Sequence, residues 1–158
     1  MSKESTTRLV TTGAMIAALY VALTLLANAM GLSSGAIQLR FSEALTILPV
    51  FTPAAIPGVT IGCLLANLVT GGAPWDILFG TMIGAVGTYL LRKHRVLAAL
   101  PPIAANTIII PFVLRWAYDT PGSIPYLMLT VGIGEVLSCG VLGLGLAKVL
   151  EPYRKQIF

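Results

Sequence analysis

The sequence predicts an all-α membrane protein: six transmembrane helices in one integral membrane domain spanning residues 1–158, with both termini in the cytoplasm. Three observations carry the prediction. Only 10% of the 158 residues are charged and 56% are hydrophobic, whereas soluble domains carry about 25% charged residues. Mean hydropathy is +0.89, and the apolar residues form long stretches broken by short polar knots, the pattern of a polytopic membrane protein. The basic residues gather at the ends of those stretches, so the net charge of +4 marks membrane edges and gives no face for nucleic acid.

A helix crosses a bilayer with about 20 apolar residues, or about 17 in a short span. Span one is read at 9–30. Its apolar run from Leu9 to Leu26 counts 18 residues, longer than the roughly 7–15 of a signal-peptide core, so the Ala27-Asn28-Ala29 that follows is read as helix and not as a cleavage site. Pro49, Pro53 and Pro57 break the next region, and Gly71-Gly72-Ala73-Pro74 breaks it again. Proline lacks an N–H and clashes with the preceding turn, so three compact spans are placed between the breaks, at 41–55, 57–71 and 76–92. Spans five and six follow at 96–118 and 127–150.

Charge supports the count. The knot Arg92-Lys93-His94-Arg95 and the basic N-terminus both belong in the cytoplasm by the positive-inside rule, which requires an even number of crossings between them. Four fit residues 9–91 better than two. Two more return Lys148, Arg154 and Lys155 to the cytoplasm, so that of ten Lys and Arg only Arg40 and Arg115 fall outside.

The acids divide differently. Glu43, Asp76, Asp119 and Glu135 all map to the outer loops or the outer half of the membrane, with Asn67 and Asn106 at neighbouring depths. Polar groups in hydrocarbon are costly and tend to mark a site or pathway, and these share their depth with Trp75, Trp116 and Tyr126. The expectation is a pocket open to the outside. Glu135, in Thr-Val-Gly-Ile-Gly-Glu-Val-Leu, is the most informative residue, because a carboxyl inside a span must be paired, neutral or turned to a cavity. Each residue also has a structural reading. Asp76 suits a helix N-terminus, Asn67 and Asn106 suit bridges between helices, and the aromatic residues suit an interfacial belt. Arg40 and Glu43, expected on the outer rim of the pocket, suit a local ion pair at a helix start, with Ser42 near the cap. Cys63 and Cys139 read as small packing residues. There is no metal-ligand spacing, no cofactor motif, no Ser-His pair and no close carboxylate pair along the chain, and no G-x-x-x-x-G-K-[ST] phosphate loop. Catalysis, including ATP hydrolysis, is not expected. Ala14, Ala18 and Ala22 repeat every four residues, giving span one a smooth face for close helix approach, whether inside the bundle or against a partner. Gly58/Gly62 and Gly80/Gly84 share that spacing.

Three stretches carry a resemblance. Ile-Gln-Leu-Arg-Phe-Ser-Glu-Ala-Leu-Thr-Ile-Leu-Pro (37–49), Ile-Pro-Gly-Val-Thr-Ile-Gly-Cys-Leu-Leu-Ala-Asn-Leu (56–68) and Asp76-Ile-Leu-Phe-Gly80 closely resemble the QueT family, with Ala-Leu-Tyr-Val-Ala-Leu-Thr (18–24) in span one adding to the likeness. These are substrate-binding S components of energy-coupling factor (ECF) transporters, the branch assigned to queuosine precursors. The resemblance implies an S-component-like bundle in the cell membrane that binds its substrate from outside and docks, through Ala14, Ala18 and Ala22, on an ECF transmembrane coupling subunit carrying two ATPase subunits. It implies a small-molecule 7-deazaguanine as ligand: 7-aminomethyl-7-deazaguanine, its cyano precursor, or queuine. The residues expected around it are Glu135, Glu43, Asp76, Asn67, Asn106, Trp75, Trp116 and Arg40. A guanine edge offers adjacent N–H donors that a carboxylate can accept in pairs, and an aminomethyl cation calls for a second acid. The rival readings are an S component for another nutrient, an embedded enzyme using Glu135 and Glu43, and an assembly subunit that binds nothing small.

Overall fold

The computed structural model describes residues 6–32, 39–71 and 80–158, and every regular element among them is helical. Helix α1 (Thr6–Ala29) has 24 residues, about 36 Å at roughly 1.5 Å per residue, enough to cross a hydrocarbon core of about 30 Å. A 3-10 helix follows (Phe41–Val50), then α2 (Ala55–Thr70), α3 (Met82–Leu90), the short α4 (Arg95–Ala98) and α5 (Leu100–Ala117). A last helical rod combines α6 (Ile124–Glu135), a π segment (Val136–Gly143), α7 (Leu144–Leu150), a 3-10 turn (Glu151–Tyr153) and α8 (Arg154–Ile157). Three stretches among the described residues are long and apolar enough to cross a membrane: Thr6–Ala29, Arg95–Ala117 and Ile124–Ile157.

The proline-rich region departs from the expected short α-helical span at 41–55. Residues 41–50 form a 3-10 helix of ten residues with Pro49 inside it, whereas runs beyond 3–4 residues are uncommon. At about 2.0 Å per residue it reaches about 20 Å. Residues 42–50 are all buried, so tertiary packing holds this geometry, with Pro49 unable to donate the N–H that would extend an α-helix through it. The polypeptide turns at 51–54 and re-enters as α2, where Pro57 lies in the first turn, the position that tolerates a missing N–H. Gly71 ends α2 at φ +75°, its N–H bonded to the Asn67 carbonyl, a left-handed cap that favours glycine.

Packing follows the small residues. α1 lies along α2, and Cβ atoms placed on Gly58 and Gly62 would stand 2.8 Å from the Gly13 carbonyl oxygen and 2.6 Å from Tyr20 Cβ. α3 approaches α5 in the same way, Gly84 against the backbone of Pro102. One end of the bundle is tied by side chains: Phe51 stacks on Phe158 with centroids 5.4 Å apart, Arg154 lies over the Phe51 ring, and Arg95 pairs with Glu151. Ala54, in the 51–54 turn, also meets Gly13 in the first third of α1, so the start of α1, this turn, the 92–95 knot and the C-terminal helix share that end. Large apolar side chains such as Met15, Leu19, Ile61, Leu68, Leu129 and Val141 face outward, as a lipid environment permits.

Candidate functional site

The polar residues collect inside the bundle, where the 3-10 helix crosses the π segment. Glu43, in the first turn of the 3-10 helix, is 2% exposed; it lies in the core, deeper than the outer rim expected for it. Its Oε1 accepts a hydrogen bond from the Tyr20 hydroxyl of α1 at 2.5 Å. Its backbone carbonyl accepts from Thr46 Oγ1 at 2.6 Å. Glu135, the last residue of α6, is 8% exposed, and its Oε2 accepts from Cys139 Sγ at 3.2 Å. Cys139 stands four residues on, one turn away on the same helical face, and also touches Thr46 Oγ1 at 3.4 Å and the Glu43 carbonyl at 3.5 Å.

Asn106 of α5 completes the cluster. Its side chain is close enough to act on Glu135, and its Oδ1 is buried with no hydrogen-bond partner among the described residues. Arg40 is close enough to act electrostatically on Glu135, while its backbone N–H donates to Ser138 Oγ at 3.3 Å. The ligand atoms of Glu43, Glu135 and Cys139 lie within 4.8 Å of one another, and no local spacing announced that Glu43 joins the other two. Two carboxyl groups, a thiol and an amide oxygen make an acceptor-rich core that suits a cation or the N–H edge of an organic ligand.

A cleft of about 40 Å³ opens beside this cluster, lined among the described residues by Tyr20, Thr24, Asn28, Arg40, Ser42, Cys63, Ala66, Asn67 and Thr70. A space of that size admits ordered water. Asn67, 8% exposed, faces the cleft with its Nδ2 3.8 Å from Cys63 Sγ.

The structure thus brings together Glu43, Glu135, Asn106 and Arg40, with Asn67 across the cleft. It does not bring Trp116 there: this side chain is 76% exposed and leans on Phe112, ring centroids 5.2 Å apart. It is the penultimate residue of α5 and lies at the surface, as an interfacial aromatic does. Trp75 and Asp76 lie outside the described residues. Ala14, Ala18 and Ala22 are all exposed, so the stripe looks away from the bundle. Ala14 and Ala18 border an apolar groove whose other wall includes Pro53, Pro57, Ile61 and Leu65.

Sequence reasoning missed Tyr20, Ser42, Thr46 and Cys139. Cys139 was legible from its four-residue spacing to Glu135, and Thr46 from its three-residue spacing to Glu43. Tyr20 carried a weaker signal, a lone hydroxyl-bearing aromatic amid the aliphatic residues of α1.

A family model described as the QueT transporter matches residues 10–152. A curated relative, the queuosine precursor transporter QueT of Lactococcus lactis subsp. cremoris (strain MG1363), is 41% identical over 68 residues, 43% of this chain and 40% of that protein. The match therefore spans less than half of the relative's length. No solved structure matches the chain.

Proposed function

The chain belongs to the QueT transporter family, and on that premise we propose that it is the substrate-binding S component of an ECF importer for a 7-deazaguanine queuosine precursor. The observation that carries the reading is the convergence of Glu43, Glu135 and the unpartnered Asn106 Oδ1 in one buried cluster. Such an excess of acceptors is costly in an apolar bundle and is relieved by a donor-rich ligand. The N–H and exocyclic amine of a guanine edge supply two adjacent donors for Glu135, and an aminomethyl group supplies a third for Glu43. Asn67 and Arg40, at the cleft, meet the ligand's acceptors.

Transport by this reading is shared with partners. Six crossings with both termini on the cytoplasmic side of the cell membrane are supported by the common end that holds the start of α1, the 92–95 knot and the C-terminal helix. The outward alanine stripe and its apolar groove support docking on an ECF coupling subunit, with ATP hydrolysis left to two ATPase subunits. The deciding experiment is calorimetric titration of the purified protein with 7-aminomethyl-7-deazaguanine, its cyano analogue and queuine, alongside riboflavin, thiamin and biotin. Tight binding confined to deazaguanines is expected. Tight binding of another nutrient with none of any deazaguanine overturns the substrate reading.

A further inference from the structure

Tyr20 touches more of the site than any motif suggested. It is 2% exposed, lines the cleft and donates to Glu43 Oε1. One turn further along α1, Thr24 Oγ1 reaches Ser42 Oγ at 2.9 Å, so α1 grips two consecutive residues of the 3-10 helix. Ala18 and Ala22 each lie two positions before these gripping residues. At 3.6 residues per turn two positions subtend about 200°, which puts the alanines on the opposite face. α1 is held in this rotation from the side, because Gly62 of α2 sits against Tyr20 Cβ and the Ala17 backbone with no room for a methyl group.

We propose that Tyr20 is a positioning residue that orients the Glu43 carboxyl for the ligand and passes ligand engagement of that acid to the outer, alanine-lined face of α1. The proposal rests on the substrate-binding and docking reading above. Its physical content is that α1 is one continuous helix with an acid-holding phenol on one side and the groove of Ala14 and Ala18 on the other. A ligand donor that draws on Glu43 shifts the phenol, and a rigid helix carries that shift through its width.

The test is a double-mutant cycle on the purified full chain, read as calorimetric affinity for 7-aminomethyl-7-deazaguanine in Tyr20→Phe, Glu43→Gln and the double variant. Tyr20→Phe keeps the ring against Gly62 and removes only the hydroxyl. It is expected to weaken binding about tenfold, and the double variant is expected to bind no worse than Glu43→Gln alone. A second arm places an environment-sensitive fluorophore on Ala18→Cys: saturating ligand is expected to change its emission, and Tyr20→Phe to diminish that change. Additive losses, or unaltered affinity in Tyr20→Phe, overturn the positioning role; an undiminished emission change overturns the transmission. Should Tyr20→Phe fail to fold, Glu43→Asp, which withdraws the carboxyl from the phenol, replaces it as a single variant: unaltered affinity then overturns the positioning role, and an undiminished emission change overturns the transmission. If the unaltered protein binds no deazaguanine, the substrate reading falls, and the same cycle with riboflavin, thiamin or biotin, whichever binds, decides the role of Tyr20. Binding of none overturns both.

Discussion

Replacing Gly62 with alanine adds one methyl group where α1 and α2 already touch. The new Cβ would stand 2.6 Å from Tyr20 Cβ and 3.0 Å from both Cα and the carbonyl oxygen of Ala17. Carbon atoms attract best at about 3.5–4.0 Å, so the helices must separate by about 1 Å. Neither obstacle is a flexible side-chain end; both belong to or adjoin the α1 backbone. Overpacking of this kind costs about 1–3 kcal/mol, and a gap of that size forfeits about a quarter to a half of the dispersion energy along the seam. For a chain of this size the expected fall in melting temperature is roughly 2–12 °C, measured by circular dichroism in detergent. Gly145→Ala is the internal control, since a Cβ at Gly145 meets nothing within 4 Å and alanine favours helix over glycine by up to about 1 kcal/mol. It should be neutral or stabilising. Equal melting temperatures for the two variants would refute the close α1–α2 contact, and with it the account of how Tyr20 is held.

Three further outcomes are expected. Glu135→Gln keeps the shape and the contact with Cys139 but removes the carboxylate from the ligand, so deazaguanine binding should weaken by about 1.5–3 kcal/mol; an unchanged dissociation constant in calorimetry takes Glu135 out of the site. Trp at position 18, made by Ala18→Trp, fills the outer groove and should abolish uptake in cells while leaving calorimetric affinity intact; surviving uptake removes the stripe from docking. Trp116→Ala, at a surface position, should leave the dissociation constant within about twofold, as substitutions away from a site change little; a tenfold loss would return Trp116 to the pocket.

The proposed site was legible in parts. Glu135, Glu43 and Asn106 stood out because each places a polar group in an apolar run, and all three are buried. Trp116 was misleading because depth along a span does not say which way a side chain points. In a soluble amphipathic helix the polar stripe would reveal the inner face. α1 is apolar almost all round, so its composition did not say which face, that of Tyr20 or that of Leu19, turns inward.

The sequence by itself determined the all-helical, membrane-type character, the breaks at Pro53 and at Gly71, and the smooth alanine stripe. These are local properties, set by hydropathy over 10–20 neighbouring residues and by the backbone chemistry of Pro and Gly. Tertiary structure alone decided that the stripe faces outward, that residues 41–50 wind as a 3-10 helix against a π segment, and that Cys139 reaches Glu43 across 96 residues of chain. The physical reason is that packing, not periodicity, chooses among the equally apolar faces of such helices. Close contact at Gly58 and Gly62 sets the rotation of α1, and that rotation brings Tyr20 to Glu43.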